Sequence, residues 1–219
     1  MNSVTRSRSR PRALRVVLIV LLVLASAALL GAVAVLLPIL THQSAGGSGQ
    51  RLPEEYVAHA AAEGADGRTR ELRVETPEGT PADLSELRPG DELIVRGSGF
   101  DASIGIYVGV CAVPEDRGNK PSPCLGGIPE GAEEGHADRA ALSSVWITDD
   151  WAWRAFATHG YDDAESGAFT AQLTVPASSQ GGLDCSVVSC AVTTRSDHTA
   201  GSDRVQDMQL PVRFAENPQ

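Results

Sequence analysis

The sequence is short of lysine, short of aromatic residues and free of the common catalytic signatures. Lys120 is the single lysine beside 17 arginines, and aromatic residues make up 5% of the 219, so each one is worth locating. No G-x-S-x-G, H-E-x-x-H, phosphate-binding loop or dinucleotide fingerprint occurs. The commonest nucleophilic, zinc-peptidase and nucleotide-binding chemistries therefore have no support in the sequence. The first 50 positions hold no acid and five arginines (Arg6, Arg8, Arg10, Arg12, Arg15). All 28 acids but only 13 of the 18 bases lie beyond them, so that part carries net −15 within a whole-chain charge of −10. An anionic body repels phosphate backbones, which disfavours nucleic acid as a partner.

One apolar run dominates the amino end. From Val16 to Leu40 no residue is charged. As a helix this run spans about 38 Å, against about 30 Å for a bilayer core. The arginines on one side predict that this side faces the cytoplasm and that the rest is exported. The competing expectation is a cleaved signal peptide, because Ala25-Ser26-Ala27 fits the small-residue cleavage pattern. Cleavage there leaves Ala28–Leu40 as an apolar new terminus, and the run exceeds the usual secretory core of about 7–15 residues. The expectation is an uncleaved anchor over 16–40, after a cytoplasmic basic tail over 1–15. Pro38 is tolerable near its outer end, where a helix can stop or kink.

Four cysteines, Cys111, Cys124, Cys185 and Cys190, all lie in the exported part. An even count in an oxidising compartment reads as two disulfides. Spacing favours Cys111 with Cys124 and Cys185 with Cys190, and neither pair has the C-x₂-C spacing of zinc ribbons.

Thr41–Gln50 is a polar, Gly/Ser-rich tether. Pro53–Glu63 reads as a short helix with Tyr56, Val57, Ala60 and Ala61 on one face, so 41–70 is expected to be a linker or stalk. His59 on it reads as a solvated residue. From Glu71 the pattern turns to strands. Leu72 and Val74 alternate with polar residues; Glu92–Val95, Ile104–Val113, Ser143–Thr148, Gly167–Val175, Cys185–Thr194 and Met208–Phe214 follow. About seven short strands separated by Gly, Pro, Asp and Ser turns predict an all-β antiparallel sandwich over 71–219. Pro211 argues that the last strand lies at a sheet edge or is broken there. Two long insertions, Pro114–Leu142 and Asp149–Ser166, sit where sandwich loops usually carry function.

Several of these words are shared with a known family. Val95-Arg96-Gly97-Ser98-Gly99-Phe100 followed by Ile106-Tyr107-Val108-Gly109-Val110-Cys111-Ala112 resembles the V-x-G-x-G-F/L … Y-V-G-Q-C-A run of the neocarzinostatin family. Gly167-Ala168-Phe169 through Leu173-Thr174-Val175 resembles its next landmark. Asp184-Cys185 through Cys190 is similar to its D-C-x₄-C hairpin, and Pro211-Val212-Arg213-Phe214 to its last strand. The resemblance covers about residues 71–215. It implies an immunoglobulin-like sandwich with two disulfides in the pairing above. Pro121–Gly127, Ser143–Ile147 and Thr194–Asp207 further resemble a domain of actinobacterial cell-surface proteins that often follows haem-transport-associated domains. No haem ligand or antibiotic-binding residue of those proteins has a matching position here.

The aromatic insertion supplies the leading candidate site. Trp151 and Trp153 share a face if extended, and with Arg154, Phe156 and Tyr161 they form a platform for a protein partner or a small apolar ligand. The bland alternative is that they cover an open end of the sandwich. Asp197-His198-Thr199 with Asp203-Arg204 reads as a structural loop, and less readily as the base of a cell-envelope hydrolase using His198. Asp149-Asp150 and Asp162-Asp163, with Glu133-Glu134 and His136, are oxygen and nitrogen donors of the kind that hold Ca²⁺, but solvated acidic surface is the simpler account. His159 near Tyr161 is a weak haem-ligand pattern. The expectation is a non-catalytic binding or adaptor module without a cofactor, and its alternatives are a purely structural surface domain or the hydrolase.

Overall fold

The computed structural model describes residues 12–116, 118–126 and 142–215. The chain divides into two units, one ending at His42 and one running from Gln43 to Gln219.

The first unit is one helix, α1 (Arg12–Thr41), with no buried residue. Its 30 residues are long and apolar enough to cross a membrane. It runs through Pro38 to Thr41, whose hydroxyl donates to the Leu37 carbonyl at 2.7 Å. The Leu37 carbonyl is four residues upstream, so the side chain satisfies one of the acceptors a helix end leaves free.

The second unit is an antiparallel β-sandwich. Its strands are β1 (His59–Glu63), β2 (Thr69–Glu75), β3 (Glu92–Ser98), β4 (Ile106–Ala112), β5 (Ser144–Ile147), β6 (Phe169–Thr174), β7 (Ser179–Gln180), β8 (Leu183–Asp184), β9 (Cys190–Ser196) and β10 (Gln209–Val212). One sheet has the order β1-β2-β3-β6 and the other β10-β9-β4-β5, with β7-β8 a small separate hairpin. Alternation decides which side chains face inward. Leu72 and Val74, Leu93 and Val95, and Ala171 and Leu173 come from the first sheet; Val108, Val110, Ile147, Val192 and Leu210 come from the second. Phe100 and Phe169 meet edge to face at 5.0 Å in this core. β10 lies at an edge, as Pro211 requires, since proline has no N–H for a further neighbour.

Two expectations fail in the 41–70 segment. Residues 59–63 form a strand and not the end of a helix, and the segment is part of the sandwich unit and not a free stalk. Ala60 pairs with Leu72 and Ala62 with Arg70, extending the sheet past β2. A segment this short gains little from helix propagation, whereas a sheet edge satisfies its backbone at once. Upstream, Gln50 clasps the β10 edge: its side-chain amide donates to the Gln209 carbonyl and accepts from the Gln209 N–H, both at 2.7 Å.

Cys111 bonds to Cys124 and Cys185 to Cys190, as spacing favoured. With separations of 13 and 5 residues, loop closure contributes about 3 and about 2 kcal/mol in the chain-entropy account. Gly99, at φ +78°, turns the chain after β3 so tightly that a Cβ there runs into the Thr69 carbonyl.

Candidate aromatic contact site

The outer face of the second sheet carries a row of large side chains. Tyr107 on β4 pairs in register with Trp146 on β5 and with Arg195 on β9. The register sets all three side by side, with the Arg195 guanidinium 5.8 Å from the Tyr107 ring and the Trp146 ring 5.7 Å on its other side. Burial raises the Tyr107 phenol, and the Asp197 charge raises it further, against the pull of Arg195. Burial lowers Arg195 for the same reason, since a half-buried charge loses hydration.

Two segments close over this row. After β9 a single 3₁₀ turn (His198–Ala200) is capped by Asp197, whose Oδ1 accepts from the Thr199 N–H at 2.8 Å and the Thr199 hydroxyl at 2.6 Å. Asp197 Oδ2 accepts from Trp146 Nε1 at 2.9 Å. One fully buried carboxylate therefore fixes both an indole and the turn that carries His198. His198 Nδ1 lies 3.0 Å from the Tyr107 hydroxyl, and its ring meets Trp146 at 5.2 Å and Trp153 at 4.7 Å, both edge to face.

Trp153 comes from the 149–166 connection, which is coiled into turns and not extended. Asp150 starts them: its carbonyl accepts from the Trp153 and Arg154 N–H groups, and its carboxylate from Ala152 N–H at 2.8 Å. Turn geometry sends Trp153 inward onto Trp146 and His198, and Trp151 outward. The two tryptophans therefore do not share a face, contrary to the extended reading. Phe156 sits 6.5 Å from Trp153, and Trp151 and Phe156 are each 74% exposed. Arg154 is exposed on the same turns. The connection then packs along β5, where Thr158 N–H donates to the Trp146 carbonyl and Thr148 N–H to the His159 carbonyl.

Tyr161 does not join the platform. Its hydroxyl donates to the Ile104 carbonyl at 2.9 Å and approaches the Asp101 carbonyl at 3.4 Å, while its ring packs edge to face on Phe169. Burial, reinforced by the Asp101 charge, pushes its phenol far above the ordinary range. It holds the loop to the core. The His159–Tyr161 pattern therefore presents no pair of ligands: the Tyr161 oxygen is engaged inward, and His159 Nδ1 lies 3.0 Å from the Gly160 carbonyl.

The other candidates resolve into turn chemistry. Asp197 accepts from Trp146 and Thr199, and Asp203 accepts from the Val205 and Ala45 N–H groups, so both carboxylates hold the turns around them. Asp149 accepts from Tyr161 N–H, and Asp163 from Glu165 N–H and the Ser166 hydroxyl. Among the described residues no three His, Cys, Asp or Glu side chains gather to hold a metal ion. Glu133, Glu134 and His136 lie outside the described residues.

Sequence reasoning found Trp151, Trp153, Arg154 and Phe156 but missed Tyr107, Trp146 and Arg195. A signal existed for two of them. Tyr107 and Trp146 each stand between two apolar residues that face the core, so strand alternation turns both aromatics outward. No protein-family model, curated protein or solved structure matches the chain.

Proposed function

We propose that the chain is a single-pass membrane protein whose β-sandwich lies outside the cytoplasm and docks a protein partner without catalysis. The basic amino end followed by α1 supports the anchor and its orientation. The two disulfides support an oxidising compartment. The neocarzinostatin-like words of the strands belong to this reading as a likeness of architecture and bring no ligand with them.

The observation that carries the reading is the tip formed by Trp151 and Phe156. Two large aromatic side chains on an acidic domain remain 74% exposed although a half-buried aromatic cluster, Trp153 on Trp146, adjoins Phe156. A purely structural role for the insertion calls for buried rings; Tyr161 and, in part, Trp153 meet it, whereas Trp151 and Phe156 do not. Exposed, rigidly backed Trp and Phe are the anchors that protein interfaces use. They stand on turns and do not line an enclosed cavity, so the fit is to a protein surface and not to an enclosed small molecule.

The test is the size of the full-chain assembly extracted from its native membrane in mild detergent. The parent is expected to migrate as a complex larger than the purified chain, and Trp151→Ala with Phe156→Ala as the chain alone. Equal migration of parent and variant overturns the docking role. Saturable Trp quenching by small apolar molecules such as haem, lost in the same variant, replaces it with a small-ligand role.

A further inference from the structure

The aromatic row on the outer face of the second sheet has a charged end as well as an aromatic tip. The Arg195 guanidinium lies against Tyr107, and from there Trp146, Trp153 and Phe156 follow in steps of 5.7–6.5 Å. Arg195 Nη1 also donates to the Pro121 carbonyl at 2.8 Å. That bond ties the chain at 120–121 to the row and sets Lys120, the single lysine, beside a second cation. Lys120 and Arg195 are each partly buried. Among the described residues Lys120 Nζ has no hydrogen bond and no ion pair, yet it is not buried: the ammonium is open to a partner from outside.

This arrangement is electrostatically unfavourable as it stands. Burial lowers the Lys120 ammonium, and Arg195 and then Arg204 push it further down, against a weaker pull from Asp207 and Asp197. Both of those acids are already engaged. Asp207 Oδ2 accepts from Arg204 at 2.8 Å, and Asp197 accepts from Trp146 and Thr199. Asp116, on the same segment as Lys120, accepts from the Gly118 N–H at 2.8 Å and closes its own turn. Among the described residues no carboxylate touches Lys120 or Arg195, although the body beyond residue 50 carries net −15. Two neighbouring cations that have lost hydration are relieved together by one anion from outside.

The chemistry of this corner selects the anion. Arg195 Nη1 is spent on the Pro121 carbonyl and its Nε is buried, so the guanidinium has no free fork for the paired oxygens of a phosphate. What stands open is the Lys120 ammonium, a point charge with rotatable donors. A multiply charged anion meets the field of the surrounding acids, whereas a carboxylate brings one charge. The row joins this corner to the exposed tip over a distance that one partner of ordinary interface size covers. Two copies of a body at net −15 repel each other, which favours another protein over a second copy.

We propose that Lys120, backed by the charge of Arg195, is the anion-binding end of the docking face and takes an Asp or Glu side chain of another protein, whose neighbouring apolar residues cover Trp151 and Phe156. The inference rests on the docking reading above and adds the chemistry of the partner to it: a local acid beside an apolar surface.

Zero-length coupling with a water-soluble carbodiimide tests this on the full chain in its native membrane. The reagent activates a carboxyl group, and an amine in contact with it displaces the activated oxygen to form an amide. Lys120 supplies the one side-chain amine of the chain. The expected product is one discrete adduct in which tandem mass spectrometry finds Lys120 joined to an Asp or Glu of another protein. Lys120→Arg keeps the charge, so it should preserve the complex in mild detergent and lose the adduct. Lys120→Glu should lose the adduct and raise the dilution midpoint of the complex about fivefold or more, since like charges then meet. Trp151→Ala with Phe156→Ala should lose both complex and adduct. No Lys120 adduct from a complex that still depends on Trp151 and Phe156 overturns this proposal alone, as does an unchanged midpoint in Lys120→Glu. No complex from the parent overturns the docking reading and this proposal with it. An amide joining two copies of the chain overturns the assignment to another protein.

Discussion

Asp197 is the residue on which the aromatic site depends, and Asp197→Asn measures that dependence. The carboxylate is fully buried and accepts three hydrogen bonds, from Trp146 Nε1, the Thr199 N–H and the Thr199 hydroxyl. Asparagine keeps one oxygen for Thr199 and turns an amide N–H₂ toward the indole N–H, so two donors face each other. One hydrogen bond to a charged acceptor is lost, worth about 1.5–3 kcal/mol, and a buried donor is left unpaired. We expect a loss of about 2–3 kcal/mol, or a drop of about 5–10 °C in unfolding temperature for a unit of this size. Trp146→Phe removes the indole donor, so Asp197→Asn should cost less in that background, with a coupling of about 1–2 kcal/mol. The assay is urea and thermal unfolding of the four proteins, followed by near-UV circular dichroism, which reads the packing of Trp146 and Trp153 directly. A cost below about 0.5 kcal/mol with additive single changes would refute the assignment of Asp197 as the shared support.

Other perturbations separate support from contact. Tyr161→Phe should cost about 1 kcal/mol, because the Ile104 carbonyl loses its donor, yet leave partner binding intact; lost binding at unchanged stability contradicts its supporting role. Gly99→Ala places a Cβ against the Thr69 carbonyl at a left-handed backbone position and should be among the most destabilising single changes, which chemical denaturation reads directly. Asp207 has a folded pKa of about 7 against about 3.8 unfolded. A raised folded value means that its contribution is full below about pH 4 and is lost as pH rises through 7. Stability measured at pH 4 and pH 8 should therefore favour Asp207→Asn over the parent increasingly toward pH 8; a constant difference contradicts the assignment.

Much of the sandwich was legible because its strands alternate cleanly. Leu72 and Val74, Leu93 and Val95, and Phe169, Ala171 and Leu173 fall on buried positions that a period of two marks out. β1 was not legible. Its His-Ala-Ala-Ala-Glu run suits a helix locally, and only the free edge of β2, a tertiary fact, makes it a strand. The site was half legible for a similar reason. The insertion announced itself by density of aromatics, but the row beneath it depends on which residues of β4, β5 and β9 stand in register. Tyr161 lay in the same insertion as Trp151, and composition alone did not show that its hydroxyl turns inward.

The central claim is that Trp151 and Phe156 touch another protein. The most direct measurement places a photo-crosslinking benzoylphenylalanine at Trp151 in the full chain in its native membrane, with Arg73 on the exposed face of β2 as the control position. The account predicts one discrete adduct from position 151 that is absent from position 73 and disappears when Phe156→Ala is added. No adduct from position 151, or the same adduct from both positions, contradicts it.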